Sequence, residues 1–207
     1  MKSIIVLALC FCAITTNAQE VKKEIDWHNW EAPYQLNKPD GWGFERFPVP
    51  ISFAPQITYK GVEDIRFTPG WAKATTDEYW TYAFLWYLDD YVITDEKIIA
   101  ANLKDYYTGL IDVNSDSVKK AGAKLVPVVT SFKKVTTEKT DKSTFSGTVT
   151  MYDYMQHKSI TLNCIVHLKY CSDDKKTILF YEISPQPFDH KNWTTLNKLW
   201  LDFRCKK

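Results

Sequence analysis

Between Glu78 and Leu88 apolar and aromatic side chains occupy both alternating positions, with Trp80, Tyr82, Phe84 and Trp86 on one side and Tyr79, Leu85 and Tyr87 on the other. A period of two predicts a strand, and apolar residues on both sides predict that both of its faces are covered. Before it, Ile57–Phe67 reads as a strand interrupted at Lys60-Gly61, and Thr68-Pro69-Gly70 turns the chain between the two. Pro48, Pro50 and Pro55 forbid helix and keep Phe47–Gln56 extended. After it the period changes. Ile99, Leu103, Tyr106 and Leu110 fall at i, i+4, i+7 and i+11, one apolar stripe of a helix. Thr94 is the expected N-cap, Asp95 and Glu96 complement the helix dipole, and Gly109 weakens the helix end.

A polar connection over 112–123 leads to four further runs with strand character, 124–135, 144–155, 158–170 and 176–184. The turns between them are too short for anything but antiparallel neighbours. Trp193, Leu196, Trp200 and Phe203, at i, i+3, i+7 and i+10, mark a closing amphipathic helix. The order β-β-α-β-β-β-β-α predicts an α+β fold. Its expected form is a curved antiparallel sheet of about six strands packed on one long helix, cystatin- or NTF2-like, with a C-terminal helix. A closed β-barrel with flanking helices is the alternative.

The amino-terminal region has a different pattern. Lys2 precedes an apolar run from Ile4 to Ile14, and Thr16-Asn17-Ala18 supplies the small residues of a cleavage site. Residues 1–18 therefore read as a signal peptide, too short in its apolar part for a membrane span. Residues 19–41 lack a clean period and read as an irregular arm, with Trp27, Trp30 and Tyr34 as anchors and a turn at Asn37-Lys38-Pro39-Asp40-Gly41. Residues 42–207 form a single α+β domain.

Charge narrows the function classes. Without Lys2, 25 bases face 25 acids, and no basic cluster suggests a nucleic-acid surface. Of the five cysteines, Cys164, Cys171 and Cys205 lie outside the signal segment. In an oxidising compartment Cys171–Cys205 is the favoured bond, with Cys164–Cys205 or no bond as alternatives.

The stretch from Trp42 to Asp90 holds four of the eight tryptophans and four of the nine prolines, which marks it as either core or binding surface. Trp42 and Trp71, each next to a glycine in a loop, are the rings expected at the surface. With Arg46, Arg66, Tyr152 and Tyr154 they are the candidate ligand-binding residues. Candidate catalytic residues are Glu45, Glu78, Glu182 and His167. Glu45 with Glu78 is the pair that would suit a carboxylate hydrolase. Pairing Met155 with Ile160 across a turn at Gln156–Ser159 would place His167, Glu182, Tyr152 and Tyr154 on one sheet face, where a concave sheet would bring them together. The four histidines have no partner at zinc-site spacing, and no nucleophile elbow, phosphate loop or dinucleotide fingerprint occurs, so neither metal nor cofactor is expected. Asn192-Trp193-Thr194 fits a glycosylation pattern but reads as a helix start.

The segments Trp42-Gly43-Phe44-Glu45-Arg46-Phe47-Pro48 and Gly61-Val62-Glu63-Asp64-Ile65-Arg66-Phe67-Thr68-Pro69-Gly70-Trp71 resemble motifs of uncharacterised exported bacterial proteins, as does Glu78-Tyr79-Trp80-Thr81-Tyr82. The resemblance covers about a quarter of the chain and implies export; it carries no activity or site residue with it. The expected protein is a periplasmic or secreted binding module for a glycan or another small ring-bearing ligand. A carboxylate-based hydrolase and an accessory protein docking an envelope partner are the alternatives.

Overall fold

The computed structural model describes residues 30–116, 125–138, 140–171 and 175–206. The expected signal peptide, Trp27, the strand start at Lys124 and the Ser172-Asp173-Asp174 turn lie outside the described residues. The elements are β1 (Tyr34–Gln35), β2 (Gly43–Val49), β3 (Gly61–Phe67), β4 (Tyr82–Asp89), α1 (Glu96–Asn114), β5 (Val129–Val135), β6 (Ser143–Asp153), β7 (Lys158–Cys171), β8 (Lys176–Ser184), α2 (Lys191–Asp202) and β9 (Arg204–Cys205).

Seven strands form one open antiparallel sheet in the order β2-β3-β4-β8-β7-β6-β5, with β2 and β5 at its edges. It does not close into a barrel. The strand beyond the expected six is β2, which the prolines had marked only as extended chain. Pro48 is tolerated there because β2 is an edge strand with one unpaired side.

The two-sided burial expected of the aromatic strand is present in β4, where Tyr82 to Leu88 are all buried. The strand starts four residues later than its alternation suggests. Thr81 N donates to Glu78 O, and Trp80 sits in the left-handed region at φ 52°, so the aromatic run enters the sheet through a turn. Tyr82, Phe84 and Trp86 face α1. Phe84 stacks on Tyr106 of that helix at 5.4 Å and on Tyr181 of β8 at 4.3 Å.

In α1 the buried residues are Ile99, Leu103, Tyr106, Tyr107 and Ile111, so Tyr107 and Ile111 join the predicted stripe while its Leu110 is only half-buried. Asp95, not Thr94, is the N-cap, accepting from the Lys97 and Ile98 amides. Gly109 does not weaken the helix, which continues to Asn114; a Cβ there would overlap the backbone carbonyl of Phe53. The glycine lets the proline-bounded loop press against the helix.

The opposite face of the sheet is covered by α2, whose Trp193, Leu196, Leu199 and Trp200 are buried. Trp200 stacks on His167 at 4.9 Å and on Phe180 at 5.4 Å. The described end of the arm is not irregular. Its Tyr34–Gln35 pair with Arg204–Cys205, and Cys205 is bonded to Cys171 at the end of β7, with Cα atoms 5.8 Å apart. Cys164 is a buried free thiol, and burial pushes its pKa up.

The bond joins residues 34 apart and ties the last strand to the sheet. Replacing Cys205 by serine is expected to lower unfolding stability by about 2–4 kcal/mol. Urea melts of the two oxidised proteins test this, and coincident midpoints would contradict it.

Candidate functional site

One end of the α1-covered face holds a cavity of about 260 Å³. Strand alternation supplies the first wall, since Glu45 pairs with Ile65 and Phe47 with Glu63, turning Glu45, Phe47, Ile65 and Phe67 towards the helix. The Thr68–Trp80 loop supplies the second. Gly70 N donates to the Glu78 carboxylate at 2.7 Å, and Trp80 N to Trp71 O at 2.8 Å. These bonds hold the Trp71 ring 4.5 Å from Phe67 and 6.4 Å, edge-on, from Trp80. Phe53 stands 5.1 Å from Tyr106, and Tyr154 stands 5.4 Å from Trp80. Leu110 and Asn114, on the last turns of α1, complete the lining with Tyr82.

The hydroxyl groups of Tyr82 and Tyr106, the two buried tyrosines of the lining, are already engaged. Tyr82 and Tyr107 bond to each other, and Tyr106 donates to Glu63 Oε1 at 2.8 Å. Glu63 is fully buried and also accepts from Trp86 Nε1 at 3.0 Å. Burial pushes its carboxyl up to about 8 against the effect of both donors, so it is mostly a neutral acid at pH 7. The next residue behaves differently. Asp64 points to the opposite face, where Arg46, Arg66 and the Tyr34 hydroxyl surround it.

The structure separates the residues that the sequence suggested as a site. Glu45, Trp71 and Tyr154 line the cavity. Glu78 does not; its carboxylate braces the loop through Gly70. Arg46 and Arg66 are held by Asp64 on the other side of the sheet. Trp42, expected at the surface, is buried with 7% of its area exposed. Tyr152 donates to or accepts from His157 Nδ1 at 3.1 Å.

The hairpin register explains where Tyr154 goes. Strand β6 ends at Asp153, paired with Lys158, and Asp153 accepts from the Met155 and Gln156 amides. Met151, rather than Met155, therefore faces Ile160. The displacement is an even number of residues, so the strand positions keep their faces, whereas Tyr154 falls in the turn and reaches the cavity.

His167 and Glu182 do meet, with 3.2 Å between Nε2 and Oε1, and Asp141 Oδ2 is 2.7 Å from His167 Nδ1. Burial alone would lower the imidazole pKa, but the hydrogen bonds and charges of the two carboxylates raise it to about 9. Burial raises the Glu182 carboxyl. The Trp200 ring covers His167, so this cluster is an ion-paired element of the interior, with Glu182 at the base of a shallow groove beside α2. Asn192 of the glycosylation pattern is buried and donates to Asp77 O at 2.7 Å.

Among the described residues no group of three or more His, Cys, Asp or Glu side chains is arranged to hold a metal, and no helix is long and apolar enough to cross a membrane. Comparisons with protein-family models, curated proteins and solved structures find no match.

Sequence reasoning passed over Phe53, Tyr106, Asn114 and Asp141 as site residues. Phe53 carried a signal, an aromatic ring between two prolines. Tyr106 and Asn114 carried none, because a helix looks the same whether it packs in full or leaves a space, and Asp141 lies in the turn before β6.

Glu63 sets a pH dependence whose sign follows from its raised value. Its contribution to stability is complete below about 4.5, the ordinary carboxyl value, and is lost as pH rises through about 8. Glu63→Gln, isosteric with the neutral acid, is expected to remove that loss. The stability of the wild type relative to the variant should fall between pH 5 and 8 by up to about 1.4 kcal/mol per unit. Parallel pH profiles in chemical denaturation would rule this out.

Proposed function

We propose that this protein is a periplasmic or secreted binding module whose aromatic cavity takes a small ring-bearing ligand, with one ring of a glycan as the first class to test. The observation that carries the reading is the cavity itself. About 260 Å³ is enclosed by eight aromatic side chains, far more than the voids left by ordinary close packing. It is close to the lower size limit of ligand sites, and flat rings offer wide contact at low entropic cost. In this reading the sheet curves around α1 in the cystatin- or NTF2-like manner. The amino-terminal pattern and the motif resemblance support export.

The hydrolase reading has less support, because Glu78 is spent on the loop and leaves Glu45 without the second carboxylate that the pair required. No contact favours an envelope partner over a small ligand.

Saturation-transfer NMR with a panel of saccharides and ring amines tests the proposal. At least one compound should receive magnetisation at its ring protons, and Trp71→Ala should weaken its binding about tenfold. Absence of transfer to the whole panel, or binding indifferent to Trp71→Ala, would overturn it.

A further inference from the structure

The charge pattern around the cavity specifies its ligand further. Alternation along β2 and β3 sends Arg46 and Arg66 to one face of the sheet, where Asp64 engages them, and sends Glu45 to the other. Among the described residues Glu45 is therefore the sole charged residue in the lining, and it has no ion-pair partner there. It is exposed at the edge strand, so it stands at the mouth rather than the floor. Below it the walls are aromatic rings, whose faces carry negative quadrupoles.

Hydrogen-bonding capacity runs the other way. The Tyr82 and Tyr106 hydroxyls are committed to Tyr107 and Glu63, and the Asn114 amide donates to Leu110 O. That leaves Tyr154 and Glu45 at the rim and, unpartnered among the described residues, Trp80 Nε1 in the wall. A neutral polyol with several hydroxyls would find few partners in this space. A methylated ammonium needs none, and both the rings and the rim carboxylate attract it.

We infer that the cavity binds an organic cation, its quaternary or methylated ammonium group seated among the rings of Trp71, Trp80 and Tyr154 with Glu45 as counter-charge. The inference rests on the ligand-binding reading above and puts a cation in place of its neutral ring. The Glu45 carboxylate, without an ion-pair partner among the described residues, then has a purpose.

Indole N–H chemical shifts of Trp71 and Trp80 provide a readout confined to the cavity. The probes are choline, its uncharged isostere 3,3-dimethylbutan-1-ol, and methyl glucoside as a neutral ring. Choline should shift both signals and bind about tenfold more tightly than the isostere. Glu45→Gln, at an exposed position that leaves the fold intact, should weaken choline about fivefold and leave the isostere unchanged. Equal affinity for choline and the isostere would overturn the charge class while leaving an apolar binding site. Shifts with methyl glucoside but not choline would do the same. Silence from all three probes would remove both this inference and the binding reading beneath it.

Discussion

Everything in this fold follows from a strand that cannot face water on either side. From Tyr82 to Leu88 every residue of β4 is buried, so the sheet requires cover on both faces. One face receives α1 and the proline-bounded loop that Gly109 admits against it. The other receives α2, and the strand pair β1–β9 closes over the part nearest β3, with Tyr34 bonded to Asp64. The disulfide between Cys171 and Cys205 holds that second cover where the chain ends.

Because side chains alternate, neighbours in sequence live in different electrostatic surroundings. Glu63 and Asp64 are both fully buried. Asp64 meets two guanidinium groups and forms ion pairs with both. Glu63 meets an indole and a phenol, which donate hydrogen bonds but bring no charge, and burial prevails. The same reasoning separates the Asp141–His167–Glu182 cluster from the aromatic cavity. It lies on the α2 face, charged and sealed, whereas the cavity lies on the α1 face, apolar and reached from the edge.

The cavity arises from the rigidity of its walls. Rings contributed by β2, β3, two loops, α1 and a hairpin turn approach from separate directions, and planar groups of fixed shape cannot tile the space between them. Flexible aliphatic residues could have closed it. The Thr68–Trp80 loop, braced by Glu78, keeps Trp71 standing at its side rather than folded in.

The sequence by itself determined the class of fold, the antiparallel order of the last four strands, both helices and the two-sided burial of β4, because each is written in a local period. Strand parity was equally legible: the faces of β6 and β7 were assigned correctly although the turn was misplaced, since a shift by an even number preserves them. The Cys171–Cys205 bond is one of several pairings the sequence leaves open, and the fold decides it by bringing the two Cα atoms to 5.8 Å. Only tertiary structure decided which carboxylates share surroundings, that Glu78 supports a loop while Glu45 faces a cavity, and that Trp42 is interior and Trp71 is not. Those outcomes depend on which distant segments cover each face, and covering is a property of the packed chain that no local pattern encodes.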